Sequence, residues 1–246
     1  MRSGQYTFSP VRRDPAPVGW LLLATVLAAV VFSAFPELDL WAASLFWDPE
    51  AGFWMGESLY AQAWYHGITR VRNVVVIPAC VILLVWWGVR RRLPLGIPAR
   101  AFLLFLGTLT IGSGLIVNEA LKNRWDRARP REIERFGGTA EFTPALVPAD
   151  QCDDNCSFVS GHASFVFLGY AIALLLRRRK AAIAGVTVLG AMAGLGRMMQ
   201  GGHFLSDVVF AGIVMFLVAW ALHRALFRGG AGPPEPESDV AEARAA

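Results

Sequence analysis

Residues 156–176 read "CSFVSGHASFVFLGYAIALLL". Five small polar residues, Ser157, Ser160, Gly161, His162 and Ser164, gather where a long apolar run begins. The run approaches the roughly 20 apolar residues that a bilayer-crossing helix needs. A helix in an apolar setting gains nothing from Ser-Gly-His at its mouth. The triplet is either an accident of a helix start or a place where something binds.

The same apolar pattern recurs along the chain. Gly19–Phe35, Val74–Val89, Ala101–Ala120, Ala181–Met199 and Leu205–Phe227 read as spans alongside Phe158–Leu176. Pro78 interrupts the second, which a membrane helix tolerates when neighbours satisfy the freed carbonyl. The 246 residues are 55% hydrophobic and 17% charged. A soluble helical protein would need a polar face on each helix, and these helices carry almost none. The expected fold is therefore all-α: a polytopic membrane protein with six transmembrane helices over residues 18–228. A head (1–17) and a tail (229–246) have linker-like composition and are predicted to be disordered. Arg12 and Arg13 precede the first span, but no small-x-small cleavage site ends it, so it reads as a retained helix.

Basic residues fix the orientation. Arg12 and Arg13, "RRRLPLGIPAR" (90–100), "RRRK" (177–180), and Arg224 with Arg228 fall in alternate connections. The positive-inside rule puts these in the cytoplasm, with both termini, and puts the connections after spans one, three and five in the periplasm. The net charge of +4 then reflects topology, and no nucleic-acid partner is expected. The first outer connection, "PELDLWAASLFWDPEAGFWMGESLYAQAWYHG" (36–67), reads first as an aromatic belt; an active role as a lid is the alternative.

The second outer connection holds "KNRWDRARPREIERFGG" (122–138). It is strongly basic on the side where the rule disfavours basic loops, which hints at function; a long solvated loop is the bland alternative. Cys152 and Cys156, in "CDDNC", could pair in an oxidising periplasm or stay reduced. No further Cys or His stands at metal-ligand spacing in this loop. Cys80 lies mid-span and reads as packing.

Three patterns now converge on one side: Lys122 with Arg129-Pro130, then Ser160-Gly161-His162, then Arg197, His203 and Asp207 in "GRMMQGGHFLSD" (196–207). A charge at mid-bilayer costs on the order of 2.5–3.5 kcal/mol on insertion scales, and helix ends avoid that cost. Phosphoryl transfer needs this set, because its catalysis is largely positioning plus electrostatic stabilisation. Lys122, Arg129 and Arg197 supply fixed positive charge. Ser160 and the amides around Gly161 open a helix whose N-terminus favours an anion. His203 and Asp207, four apart on one helical face, suit a nucleophile and its orienter. His162 suits the general acid. A lone histidine is usually structural, but two beside three cations point to a site.

These residues resemble the motifs of the type-2 phosphatidic acid phosphatase family, within the lipid-phosphate phosphatase and vanadium haloperoxidase superfamily. The family pattern is Lys, six residues, Arg-Pro; then Pro-Ser-Gly-His; then Ser-Arg, five residues, His, three residues, Asp. Lys122 to Arg129-Pro130 matches in full, Ser160–His162 matches with Val159 for proline, and Arg197, His203 and Asp207 match with Gly196 for serine. The resemblance implies a six-helix membrane fold, a phosphohistidine on His203, no metal or other cofactor, and a phosphorylated lipid as substrate. Gly196 lacks a hydroxyl that could donate to phosphate. The segments "NCSFVSGHAS" and "FPELDLWAASLFWDP" look most like bacterial lipid A phosphatases, which implies a bacterial inner-membrane enzyme with a periplasmic site. Undecaprenyl pyrophosphate and phosphatidylglycerol phosphate or phosphatidic acid are the next substrates. Two other classes remain: a haloperoxidase holding vanadate in the same pocket, and a non-catalytic lipid-binding or transport protein.

Overall fold

A computed structural model describes residues 16–56 and 58–227; the head up to residue 15 and the tail from residue 228 lie outside the described residues. Helix α1 (Ala16–Ala34) turns by 83° into α2 (Glu37–Ser44). The bend falls at Pro36, which has no N–H to continue the ladder and pushes Phe35 out of helical geometry. A two-residue antiparallel pair follows, β1 (Trp47–Asp48) with β2 (Gly52–Phe53). Asp48 Oδ1 shapes its turn by accepting the Glu50 and Ala51 amides at 2.9 Å each.

Helix α3 (Leu59–Arg70) passes through a π-helical stretch, Val71–Val76, into α4 (Ile77–Arg90), making one 32-residue rod. Helix α5 (Ala99–Gly107) continues as a second π-helical stretch, Thr108–Lys122. A long connection with short 3₁₀ turns at Pro130–Glu132 and Glu134–Phe136 leads to α6 (Gly161–Phe167) and α7 (Tyr170–Ala173). Helices α8 (Arg179–Met199) and α9 (Leu205–Phe227) complete the chain.

The chain is mostly helical, and among the described residues four helices are long and apolar enough to cross a membrane: Leu59–Arg90, Ala99–Lys122, α8 and α9. The bent α1–α2 pair brings the number to five when it is counted as one span. The stretch Phe158–Leu176, expected as a full span, is the shorter helix Gly161–Ala173. Ser157, Phe158 and Val159 are buried ahead of it, and Ser160 caps it. At Gly169 the amide bonds three residues back, to the Val166 carbonyl, so the ladder tightens there. The second rod is much longer than Val74–Val89, because Arg70, Arg72 and Asn73 interrupt hydropathy without breaking the helix.

Helix α6 sits centrally, packed on α8, α9 and the Thr108–Lys122 stretch. Lipid offers no hydrophobic drive for helices to associate, so close backbone approach matters. Helix α8 achieves it through two glycines: a Cβ at Gly190 would fall 2.1 Å from the Phe167 ring, and one at Gly194 would fall 2.2 Å from Val208. The Leu59–Arg90 rod stands apart. Only 6% of its apolar window is buried, against 39% for Ala99–Lys122 and for α9.

Candidate active site

Two helix starts are tied together at one end of the bundle. Ser160 Oγ accepts the Ala163 amide (3.4 Å) at the start of α6, and the Ser160 amide donates to the Asp207 carbonyl (3.1 Å) in the first turn of α9. Asp207 Oδ2 accepts the Phe204 amide (2.7 Å), satisfying one of the free donors of the α9 N-terminus. His203 lies just ahead of α9, not inside it. The expectation of His203 and Asp207 on one helical face is thus corrected: the spacing belongs to a cap, because α9 starts only at Leu205.

The His203 ring is buried, and its Nδ1 lies 2.8 Å from the Ser157 carbonyl. A carbonyl only accepts, so Nδ1 carries the proton and Nε2 keeps a free lone pair. Asp207 Oδ2 stands further away, 3.6 Å from Nδ1, and also accepts the Ser157 hydroxyl. Burial first, and then the positive Arg197 and Arg129, hold the His203 pKa down to about 3 against the opposing pull of Asp207. The imidazole is therefore neutral at ordinary pH.

Behind this pair lies a network that sequence reasoning missed. Arg127 is fully buried and places Nη1 at 2.7 Å from Asp207 Oδ1 and 3.0 Å from Ser206 Oγ. Its Nη2 reaches Asp39 Oδ2 at 2.8 Å, and its Nε donates to the Thr143 carbonyl at 2.7 Å. The guanidinium also lies over the Phe204 ring, 4.3 Å from the centroid. Asp39, on α2, accepts the Ser206 amide (2.8 Å) and the Ser206 hydroxyl. The Ser157 amide donates to the Arg127 carbonyl (2.8 Å), so the residue whose carbonyl aims His203 is itself tied to Arg127. A buried ion pair is worthwhile only when further hydrogen bonds support it, and here each of the three Arg127 guanidinium nitrogens has an acceptor.

Other predicted residues lie near enough for their charges to act on one another: Arg197 and Arg129 on His203, and Arg197 and Lys122 on His162. Arg197 is buried over the Tyr65 ring, 4.8 Å from its centroid, and donates from Nη1 to Gln200 Oε1. Gln200 in turn donates to the Ala61 carbonyl (3.1 Å), anchoring the guanidinium to α3. Gly202 makes room for it, since a Cβ there would fall 2.4 Å from Arg197 Nη2. Among the described residues, Arg197 Nε is buried with no acceptor. Leaving such a donor unmatched costs about 1–3 kcal/mol, so it calls for a ligand. Arg129 donates to the Asn155 carbonyl from Nε (3.0 Å) and from Nη2. Burial, then the neighbouring Arg131, pull its pKa below the ordinary arginine value. Lys122 Nζ closes on the α6 mouth, 3.8 Å from where a Gly161 Cβ would stand.

His162 is held by α3. Its Nε2 lies 3.3 Å from the Tyr65 carbonyl and 3.4 Å from Thr69 Oγ1, and its ring packs on Tyr65 with centroids 4.4 Å apart. The aromatic stretch 36–67 therefore reaches the site directly, through Tyr65 and, at Gly196, through Trp64: a Cβ at Gly196 would lie 3.7 Å from Trp64 Nε1. Cys152 and Cys156 form a disulfide just ahead of Ser157. Among the described residues no group of three His, Cys, Asp or Glu is placed to hold a metal ion. What the arrangement offers is a neutral, aimed imidazole facing buried cations, a geometry suited to attack on an anionic phosphorus centre.

The family model described as the PAP2 superfamily matches residues 101–230. That range holds Lys122, Arg129, Ser160, Gly161, His162, Arg197, His203 and Asp207, while Asp39 and Tyr65 precede it. A lipid A 4'-phosphatase of Francisella tularensis subsp. novicida is 35% identical over 211 residues, covering 84% of this chain and 94% of that protein. Lipid A 4'-phosphatases of Rhizobium leguminosarum and Rhizobium etli are 32% and 31% identical, each over 82% of this chain and over 91% and 82% of their own lengths. No solved structure matches significantly.

Proposed function

The chain belongs to the PAP2 superfamily, and on that premise we propose that this membrane phosphatase removes a phosphate from lipid A through a phosphohistidine on His203. Lys122, Arg129 and Arg197 bind the phosphate oxygens, with Ser160 and the Gly161 backbone at the α6 mouth. His203 Nε2 attacks phosphorus as the ester P–O bond breaks, and His162 gives the leaving oxygen its proton. Water then attacks the phosphohistidine, His162 takes the proton back, and phosphate leaves. Asp207 steadies the positive charge that develops on the His203 ring, while Arg127 and Asp39 hold Asp207 in place.

The observation that supports this reading best is a neutral, carbonyl-aimed His203 beside the acceptorless Nε–H of Arg197. The full proposal places six crossings in a bacterial inner membrane, with α6–α7 as the short crossing. Both termini are then cytoplasmic and the site faces the periplasm. The test is a panel of lipid A, undecaprenyl pyrophosphate, phosphatidylglycerol phosphate and phosphatidic acid, given to the purified protein in EDTA. Phosphate release is expected to be greatest from lipid A and unchanged by the chelator. Loss of turnover in EDTA would overturn the metal-free mechanism, and preference for another lipid would overturn the substrate.

A further inference from the structure

Helix α3 lies ahead of the range matched by the family model, yet its one covered face is turned to the candidate site. Of residues 59–70 only Ala61, Tyr65, Ile68 and Thr69 are not exposed, and spacings of three and four put them on one side of the helix. The Ala61 carbonyl accepts from Gln200, which holds Arg197. The Tyr65 ring carries both the Arg197 guanidinium, 4.8 Å from its centroid, and the His162 ring, 4.4 Å from it. The Tyr65 carbonyl and the Thr69 hydroxyl stand 3.3 and 3.4 Å from His162 Nε2. Only 6% of the apolar window of the Leu59–Arg90 rod is buried, so general packing does not account for these contacts.

The two histidines are aimed alike, through opposite nitrogens. A carbonyl only accepts, so His203 carries its proton on Nδ1, toward Ser157, and His162 carries one on Nε2, toward Tyr65. The Thr69 oxygen accepts a share of the same N–H. We propose that Tyr65 and Thr69 are positioning residues for His162, fixing its Nε2–H on α3 and leaving Nδ1 to exchange a proton with the leaving group. This rests on the lipid-phosphatase reading above. In the acid step His162 is protonated on both nitrogens. Nδ1 passes its proton to the ester oxygen as the P–O bond breaks and the bond from His203 to phosphorus forms, while Nε2–H stays with Tyr65 and Thr69. When water attacks the phosphohistidine, Nδ1 takes the water proton, the P–N bond breaks and phosphate leaves. Both α3 residues act through the ring they hold.

The test compares dodecyl phosphate with a nitrophenyl phosphate bearing the same dodecyl tail, hydrolysed by the full chain in detergent. An alkoxide needs a proton to leave and a nitrophenolate does not, so only the first ester depends on the acid. The readout is the alkyl-to-aryl ratio of kcat/KM, which reports the steps up to departure of the leaving group. Thr69→Val keeps the shape and removes the hydroxyl. It should lower the ratio by about tenfold, part of the roughly 10²–10⁴-fold that an acid contributes. Thr69→Ser returns the hydroxyl and should bring the ratio back to within about twofold of the wild type. Tyr65→Leu removes the ring and keeps the carbonyl. Both rates should fall there, because Arg197 is freed as well, and the ratio should again fall by about tenfold. An unchanged ratio in Thr69→Val or in Tyr65→Leu overturns the proposal, and where one variant does not fold the other decides. Equal losses on both esters, or a Thr69→Ser ratio as low as that of Thr69→Val, overturn it too. Wild-type turnover of the aryl ester alone also overturns it, since no acid then serves the leaving oxygen. If the wild type hydrolyses neither ester, the phosphatase reading falls first, before any variant is made, and the positioning role falls with it.

Discussion

The two sides of His203 are built on opposite terms. On the Nδ1 side, Asp207, Arg127, Asp39, Ser157 and Ser206 fill one another's hydrogen-bonding positions in a buried, closed network. On the cation side, Arg197 is also buried but keeps an N–H with no acceptor among the described residues. Burial is the same and satisfaction is not. The closed side holds a geometry that exists before any ligand arrives, and on the proposed reading the open side takes an anion from outside.

That contrast predicts graded effects. His203→Ala removes the atom that both sides serve, and phosphate release should fall by at least about 10⁴-fold while the protein still elutes as a folded species. Retained turnover would show that neither side serves catalysis. Arg197→Gln should cost about 10²–10³-fold in kcat, the usual loss for one charge-stabilising donor. It should also abolish the thermal stabilisation by vanadate, which in the wild type should reach about 2.7 kcal/mol at a concentration 100 times its Kd. If vanadate stabilises both proteins equally, the open side is not the anion site.

The closed side should answer differently. Arg127→Met leaves two buried carboxylates without their shared cation, a loss of about 3–5 kcal/mol that a melting curve will register. Asp39→Asn keeps the shape and should lower kcat about tenfold with KM unchanged, a size in keeping with a misplaced catalytic group. A rise in KM alone would move Asp39 to the substrate side. A last effect concerns pH. His203 is held neutral with a pKa of about 3 when folded, against an ordinary 6.5. Its contribution to stability is complete above about pH 6.5 and is lost as pH falls toward 3. Melting temperature should therefore drop more steeply from pH 7 to pH 4 in the wild type than in His203→Gln.

Much of the open side was legible in the sequence, because Lys122, Arg129, Ser160, His162, Arg197 and His203 sit in short patterns at the ends of apolar runs. The closed side was not. Arg127 stands two residues from Arg129 in a crowded basic run, and nothing local separates a buried arginine from a solvated one. Asp39 lies 88 residues from Arg127, in "PELDLWAAS", where an acid reads as the polar face of an interfacial helix. Tyr65 and Gln200 were hidden for the same reason: their partners, His162 and Arg197 with Ala61, are brought close only by folding. Span lengths failed where polarity and helicity part company. Arg72 and Asn73 lie inside a helix that hydropathy cuts short, and Phe158 and Val159, expected inside a span, are core residues ahead of the helix that begins at Gly161.

The Cys152–Cys156 cross-link ends one residue before the peptide whose carbonyl aims His203. On the proposed topology, that bond forms only after the loop has left the cytosol. The small ring it closes beside Ser157 is then completed only once translocation has delivered the loop.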